Sequence, residues 1–506
     1  AGTLPMLENL EDFPKSPFVL TSIFVLLYIV KRPPKTTHLL AFAALLGVVQ
    51  GIGLGFRRDL AVCVPPTLLV LGLSELDAST MTLRKRAAAA ILFCLCFVVP
   101  AFPVLNAFRQ YHSDNVGTHV TLMGMATEEE DRMAVQRASY ERIALRKDCF
   151  VSAAASSYAT RAKSVSGEIP PMGKSDLLRE FVKTSPADMI TRAYAAVLRI
   201  LTSNVTEGLL PDLRTVSLLS TALFFMALSW SAPRKTGIIL LLLMYFCGHT
   251  SIQFELRHVF HLGFLQFWFP LCLVNRIPTV GGEIDKLLSR RQESSIDADR
   301  SRIWRQRLQR TALFWMAAAV ICFGPLYACR IYQYCRVEEM LSAFRSADLE
   351  SVPFKQRPLG AYVLFSPIAR AACSSATYLD ERTSSRTEYW VAEFTREPES
   401  PHFWLRYEAK GDPNDFSAPF LIDPTNIGGT GTFRCFFPVY EDLDPARWSC
   451  FVGVALPGPH RDQLKGLYRV RNLRDFPLLL NASVPENAPQ FRHWQTVGSF
   501  HYVNSP

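Results

Sequence analysis

One stretch of the chain decides its class. Residues 38–59 read HLLAFAALLGVVQGIGLGFRRD, in which an apolar run ends abruptly at Arg57, Arg58 and Asp59. A helix needs about 20 predominantly apolar residues to cross the hydrocarbon core of a bilayer. The run approaches that length, so the pattern predicts a transmembrane helix that ends at a charged turn.

Seven similar stretches accompany this one. The eight predicted spans are roughly 17–30, 38–56, 60–73, 87–103, 216–231, 236–250, 259–274 and 311–328. Several are shorter than a full span, so their boundaries are loose and a pair is compatible with a re-entrant arrangement. The sequence predicts a polytopic α-helical membrane protein with about eight spans.

Basic residues collect in every second gap between these stretches. The basic gaps hold Lys31, Arg32 and Lys35; Arg84, Lys85 and Arg86; Arg234 and Lys235; and the run from Arg276 to Arg310. Lys and Arg are retained on the cytoplasmic side of membrane proteins, so these gaps are predicted to be cytoplasmic. The alternation then places the N-terminus, residues 104–215, residues 251–258 and everything after Cys329 outside the cytoplasm.

The basic loops between the predicted spans also explain part of the net charge of +9. The 276–310 run contains nine basic and five acidic residues, which accounts for four of the nine excess charges. A basic loop between membrane helices usually determines topology and lies near anionic lipid. Membrane lipid, and no nucleic acid, is therefore the predicted partner of this charge.

The start of the chain does not read as a signal peptide. Residues 1–16 have neither a basic n-region nor an apolar h-region. A translocated N-terminus with nothing to export it predicts a further helix upstream of Ala1. The alternative is a short tail that is translocated unaided.

The predicted spans and gaps divide the chain into four regions. Residues 1–103 hold the first four membrane helices and a short external tail, and residues 104–215 form an extracytoplasmic helical segment. Residues 216–330 hold the last four membrane helices, including the cytoplasmic loop 276–310. Residues 331–506 are predicted to form an extracytoplasmic β-sandwich domain.

The prediction for the last region rests on short β-rich runs separated by Pro, Gly, Asn and Asp. These runs are 361–366, 387–394, 402–409, 431–440, 448–456, 467–473 and 477–483. Such spacing is typical of a β-sandwich, and about 170 residues suffice for an independent core. We therefore expect residues 350–506 to fold alone.

Cysteine and tryptophan residues of this domain lead to two further predictions. Cys435 and Cys450 flank a turn-rich segment and are expected to face each other across a hairpin. The tryptophans of the region either fill the sandwich core or stack on sugars; they are Trp390, Trp404, Trp448 and Trp494.

Ionisable residues mark the two short turns on the external side. The segment GIGLGFRRDLAV (51–62) contains Arg57, Arg58 and Asp59, and TSIQFELRHVFHLGF (250–264) contains Glu255, Arg257, His258 and His261. Charges this close to hydrocarbon are costly and are kept for pairing or for function. Arginines in two converging turns suit a phosphate. The alternative is a pair of structural ion pairs, Asp59 with an arginine and Glu255 with Arg257, with Arg57 snorkelling to the headgroups.

These turns and the β-rich tail resemble the GT-C superfamily, the integral-membrane glycosyltransferases that use polyprenyl-phosphate sugars. The resemblance covers roughly residues 17–330, and the tail is similar to the periplasmic domains of some bacterial members. It implies an inverting transfer at the outer face of a bacterial inner membrane. It also implies a catalytic carboxylate in a first outer loop, which would follow a first helix that is expected to be missing from this sequence. That acid is expected upstream of Ala1 or absent, and the nearest candidates are Glu8, Glu11 and Asp12.

The resemblance gives the charged residues roles. Asp59 and Glu255 would be catalytic, as a base or by orienting an arginine, and the phosphate would be bound by Arg57, Arg58, Arg257 and His258. No metal site is predicted and no cofactor is needed, although a divalent metal is compatible with the chemistry. Two other functions remain open. One is a non-catalytic scaffold with membrane-protein partners; the other is a transporter, which the few charges within the spans disfavour.

Overall fold

The computed structural model describes residues 14–32, 34–73, 83–111, 116–135, 140–141, 148–166, 173–202, 213–275, 297–368, 387–395, 402–409, 416–421, 431–440 and 448–485. The chain divides into two compact units. The helical unit comprises Ala1–Asp114 and Ala193–Pro325, and the sheet unit comprises Asn115–Arg192 and Leu326–Pro506.

Every one of the eight apolar stretches is largely helical. The helices are α1 Lys15–Lys31, α2 Thr36–Phe56, α3 Val64–Leu73, α4 Leu83–Tyr111, α5 Val116–Met123, α6 Thr127–Arg132, α7 Asp148–Ser166, α8 Gly173–Thr184, α9 Pro186–Thr202, α10 Leu213–Ser231, α11 Pro233–His249, α12 Leu256–Val259, α13 Leu265–Val274 and α14 Asp297–Arg345. Short 3₁₀ turns at Arg58–Cys63, Thr250–Ile252 and Phe260–Leu262 join some of them.

Among the described residues, four helices are long and apolar enough to cross a membrane. They are Thr36–Phe56, Leu83–Gln110, Pro233–Ile252 and Arg302–Arg345. Two shorter apolar helices cover Thr215–Ser231 and Phe260–Val274. Helices of this length and composition indicate a membrane protein.

Glycines bring α2 and α4 into close contact. A Cβ atom on Gly47 would lie 2.6 Å from the carbonyl oxygen of Phe93, and one on Gly51 would lie 2.6 Å from Cγ of Pro100. Membrane helices use small residues in this way because the backbones can then approach and gain van der Waals contact. The apolar run quoted at the outset therefore also supplies the main helix–helix contact of the unit.

A buried amide links three helices of the same unit. The Gln50 Nε2 atom of α2 donates to Ser22 Oγ of α1 at 3.1 Å and to Thr67 Oγ1 of α3 at 2.8 Å. All three side chains are at most 1% exposed. Polar groups at membrane depth need internal partners, so this cluster helps to fix how the helices are arranged.

Residues of the basic gaps make two contacts within the helical unit. Lys235 Nζ donates to the carbonyl oxygen of Lys31 at 3.0 Å. The Arg86 guanidinium donates to the carbonyl oxygen of Gly72 at 3.2 Å. Residues 276–296, the greater part of the predicted cytoplasmic loop, lie outside the described residues.

Two antiparallel sheets form the centre of the sheet unit. The strands are β1 Tyr140–Glu141, β2 Leu349–Ser351, β3 Phe354–Leu359, β4 Tyr362–Pro367, β5 Thr387–Thr395, β6 His402–Ala409, β7 Phe416–Leu421, β8 Thr432–Tyr440, β9 Trp448–Pro457, β10 Leu464–Val470 and β11 Asn481–Pro485. One sheet has the order β1-β11-β8-β5-β10-β2, and the other has the order β3-β4-β9-β6-β7.

All seven β-rich runs contain strands, and four further strands were not predicted. One of these, β1, lies in the 104–215 segment and pairs with β11 through Tyr140 opposite Ala482. The expected hairpin between Cys435 and Cys450 is wrong, because β8 and β9 belong to different sheets. A turn-rich connection is equally compatible with a crossover between sheets, which sequence spacing alone does not distinguish from a hairpin.

Aromatic side chains from both sheets meet in a common core. Phe394 and Phe403 have ring centroids 5.3 Å apart, and Trp390 and Phe451 are 5.4 Å apart. Trp390 is therefore a core residue, only 4% exposed. Trp404 stacks edge-on against Tyr362, while the side chain of Trp448 and all of Trp494 lie outside the described residues.

Helices complete this core. The Phe344 ring of α14 lies 4.9 Å from Phe436 and 5.2 Å from Phe476, and Phe150 of α7 lies 6.1 Å from Tyr440. A fragment covering residues 350–506 would lack Phe344 and Phe150 and would expose the apolar surface that they cover. The structure thus leads to a different expectation for that fragment: it lacks part of its own core.

A buried carboxylate organises the helical side of the sheet unit. Asp188 is 2% exposed and accepts hydrogen bonds from Tyr140 Oη at 2.5 Å, Arg330 Nη1 at 2.9 Å and Gln333 Nε2 at 3.0 Å. The Arg330 Nη2 atom also donates to Thr191 Oγ1 at 2.8 Å. Strand β1 and helices α9 and α14 are joined by this network.

Candidate functional site

The first charged turn follows directly from the end of α2. Arg57 adopts an extended conformation after the helix, and the chain then enters the 3₁₀ turn Arg58–Cys63. Gly53 lets α2 approach Phe18 and Leu60, since a Cβ there would lie 3.0 to 3.1 Å from those side chains. The turn is thereby held against the first turns of α1.

Lys15 joins the two predicted turns. Its Nζ atom lies 3.6 Å from Asp59 Oδ2 and 3.3 Å from Nδ1 of His258. The Lys15 side chain is only 4% exposed. The turns at 57–59 and 255–258 therefore converge, as the sequence predicted, through a residue that the sequence analysis did not single out.

Two further contacts between polar side chains complete the arrangement. Arg57 Nε lies 3.3 Å from Asp59 Oδ1, and Glu255 Oε2 lies 3.5 Å from His258 Nε2. Asp59 is 40% exposed, whereas Glu255 is 16% exposed. We refer to Lys15, Arg57, Asp59, Glu255 and His258 as the rim cluster.

Two of the predicted arginines are placed differently. The Arg58 guanidinium lies 4.1 Å from the ring centroid of Phe108 on α4, a cation–π contact. Arg58 is exposed and lies next to the rim cluster in the chain. The backbone of Arg257 belongs to α12, but its side chain lies outside the described residues, so its predicted role stays a prediction.

Lys15 escaped the sequence analysis because it precedes the apolar stretch that begins at residue 17. The usable signal was its position: it is a single cation at the first turn of a predicted span. Under the predicted alternation that turn lies on the same side as residues 57–59 and 251–258. A charge at this position has to reach water or a partner.

Among the described side chains of the two turns and the start of α1, Lys15, Arg57 and Arg58 oppose Asp59 and Glu255. Such an arrangement can attract an anion, because the effective dielectric is lower near a buried group than in water. The same ion pairs also fit the structural alternative, in which the charges fasten helix ends.

An apolar groove lies beside α1 and α11. It is a shallow, half-open depression whose empty volume of about 390 Å³ includes open solvent, and its lining contributes almost no polar surface. It is lined by Ile23, Leu27, Ile239, Leu242, Leu243, Phe246, Cys247, Leu262, Leu265, Trp268 and Phe269.

The groove and the rim cluster share helix α1 but no residues, because none of the rim-cluster side chains lines the groove. The lining residues nearest to the cluster in the chain are Leu262, four residues after His258, and Cys247, near the end of α11. At 1.5 Å per helical residue, Ile23 and Leu27 lie about 12 and 18 Å along α1 from Lys15.

Within the described part of the chain, no group of three or more His, Cys, Asp and Glu side chains has the geometry of a metal site. Glu8, Glu11 and Asp12 lie outside that part. Comparisons with family models, curated proteins and solved structures found no match for this chain. The proposals that follow rest on its own residues.

Proposed function

We propose that this protein binds a lipid-linked phosphate, with the phosphate at the rim cluster and the hydrocarbon tail in the apolar groove. One observation supports this above all: the buried Lys15, paired with Asp59, lies at the start of α1, and the same helix lines an apolar groove farther along with Ile23 and Leu27. A lipid phosphate has the matching shape, with a charged head joined to a long apolar chain. The proposed ligand class is a polyprenyl-phosphate-linked sugar.

The electrostatics favour such a ligand. Lysine binds phosphate as a compact charge, and arginine offers paired donors to phosphate oxygens. Lys15 and Arg57 are already held in place by Asp59, so little side-chain entropy remains to be lost on binding. The apolar lining adds the transfer free energy of each buried methylene, about 0.8 kcal/mol.

The proposed reaction is a glycosyl transfer like that of the GT-C superfamily. An acceptor hydroxyl would give its proton to Asp59, the more exposed of the two carboxylates, as its oxygen bonds to the anomeric carbon. The bond between that carbon and the phosphate oxygen would break, and its electron pair would stay on the lipid phosphate. Lys15, Arg57 and Arg58 would stabilise the charge that develops there.

The proposal includes the finer architecture. We place the protein in a bacterial inner membrane with about eight spans and a periplasmic β-sandwich domain. The contact between Lys235 and Lys31 supports a common cytoplasmic end, and the rim cluster joins the turns assigned to the other side. The aromatic contacts between the two sheets support a sandwich.

A second function is favoured by a specific observation. Asp59 already has two cationic partners, and Glu255 is paired with His258. Ion-paired carboxylates are weak bases, so these contacts suit a non-catalytic scaffold that carries a glycosyltransferase-like membrane unit within a larger complex. In that case the rim cluster would stabilise the fold and bind no lipid phosphate.

Replacing Lys15 by Met distinguishes the lipid-phosphate site from the non-catalytic scaffold. We expect Lys15→Met to weaken the binding of a polyprenyl monophosphate ten- to a hundred-fold, because a charge-assisted hydrogen bond contributes about 1.5–3 kcal/mol. Lys15→Arg should retain most of the affinity. Binding is measured on the full chain in nanodiscs of zwitterionic lipid, together with the melting temperature.

Lys235→Met is the matched control. Lys235 lies near the start of α11, at the opposite end of that helix from His249, and donates to the Lys31 carbonyl. Its replacement therefore removes one basic residue and leaves the rim cluster unchanged. Its affinity should equal that of the unmodified protein. A Lys15→Met variant with a lowered melting temperature and unchanged affinity would contradict the lipid-phosphate site and support the scaffold.

A further inference from the structure

His258 lies between two charged members of the rim cluster. Its Nδ1 atom is 3.3 Å from Lys15 Nζ, and its Nε2 atom is 3.5 Å from Glu255 Oε2. The histidine side chain is 14% exposed and the lysine side chain is 4% exposed. The ring is thus held between a cation on α1 and a carboxylate just before α12.

These partners determine the tautomer of the ring. An ammonium group only donates hydrogen bonds, so Nδ1 has to accept from Lys15. A neutral ring then carries its proton on Nε2, the nitrogen that faces Glu255. A second proton on the ring would sit on Nδ1 and point at the Lys15 ammonium group.

We propose that His258 is a positioning residue for Lys15: the neutral ring holds the ammonium group beside Asp59, where it can meet a phosphate. The proposal rests on the lipid-phosphate site described above and extends it. One consequence follows: an acceptor at the position of Nδ1 is needed for full affinity.

Within the described part of the chain, charged and titratable groups surround His258 on three elements besides its own segment. Lys15 faces it from α1, and Asp59 with Arg57 lies in the turn after α2 on the other side of Lys15. His249, at the end of α11, interacts electrostatically with Asp59 and Lys15. Glu255 and His261 belong to the same segment as His258.

Two variants separate positioning from a general structural role. His258→Ala removes the acceptor, whereas the side-chain oxygen of His258→Asn can replace Nδ1. Polyprenyl monophosphate binding to the full chain in nanodiscs is measured for all proteins at the same neutral pH.

We expect His258→Ala to bind about ten-fold more weakly than the unmodified protein, and His258→Asn to bind within about two-fold of it. Full affinity of a folded His258→Ala variant would overturn the proposal, as would a folded His258→Asn variant that binds as weakly as His258→Ala is expected to.

The Lys15→Met variant makes the failures distinguishable. If Lys15→Met loses binding while both His258 variants behave like the unmodified protein, the lipid site stands and only the positioning role of His258 is wrong. If Lys15→Met binds normally, the lipid site itself is wrong. Melting temperatures recorded in parallel identify a variant that is unfolded. If His258→Ala is unfolded, the comparison of His258→Asn with the unmodified protein tests the proposal.

Discussion

Replacing Asp188 by Ala is expected to destabilise the sheet unit by about 3–5 kcal/mol, the usual consequence of removing one partner of a buried ion pair. Arg330 would lose its charged partner, and Tyr140 would lose a hydrogen bond of 2.5 Å. Gln333 would lose one as well. The loss should appear as faster amide hydrogen exchange in β1 and β11, because Tyr140 lies in β1 and pairs with β11.

Asp176→Ala is the control for this prediction. Asp176 forms an ion pair with Arg179 at 3.0 Å on the surface of α8, where the arginine is 67% exposed. Exposed pairs contribute about 0–1 kcal/mol, so this variant should exchange like the unmodified protein. Equal protection in the Asp188 and Asp176 variants would contradict the organising role assigned to Asp188.

Replacing Gly51 by Ala is expected to destabilise the helical unit by about 1–3 kcal/mol, the typical cost of overpacking. The new methyl group would lie 2.6 Å from Cγ of Pro100 and closer still to the carbonyl oxygen of Phe97. Backbone and proline ring atoms cannot move aside as a flexible side chain can, so α2 and α4 would have to separate. Amide hydrogen exchange of both helices in detergent micelles measures the effect.

Gly55→Ala is the matched substitution in the same helix. Its Cβ would meet only Val104 Cγ2, at an ordinary contact distance of 3.9 Å. Alanine is also the better helix former by about 1 kcal/mol. We therefore expect unchanged or increased protection, and a loss as large as that of Gly51→Ala would show that the close α2–α4 approach is not what determines stability.

Much of the fold could be predicted from hydrophobic periodicity. The eight apolar stretches became helices and the seven β-rich runs contain strands, since each pattern reflects which face of an element is buried. The short strands β1 and β2 and the polar edge strand β3 lack that pattern. Tyr140–Glu141 becomes a strand only because β11 offers it a partner, which is a tertiary effect.

The candidate site was predictable in part. Charges at Arg57, Asp59 and His258 stood out because they interrupt apolar sequence, and the structure brings their turns together. Lys15 did not stand out, since a single lysine near a chain end usually lies in water. Its burial depends on the approach of α1 to two turns distant in sequence, and one sequence gives no measure of such an approach.

The central claim is that the apolar groove holds the tail of a lipid whose phosphate lies at the rim cluster. Photo-crosslinking with a polyprenyl phosphate that carries a diazirine in its tail tests it most directly. We expect labelling of groove residues such as Leu243, Phe246 and Trp268, competed by unlabelled polyprenyl phosphate and lost in Lys15→Met. Labelling confined to exposed residues of α4, such as Ile91 and Val99, and equal in both proteins would contradict the claim.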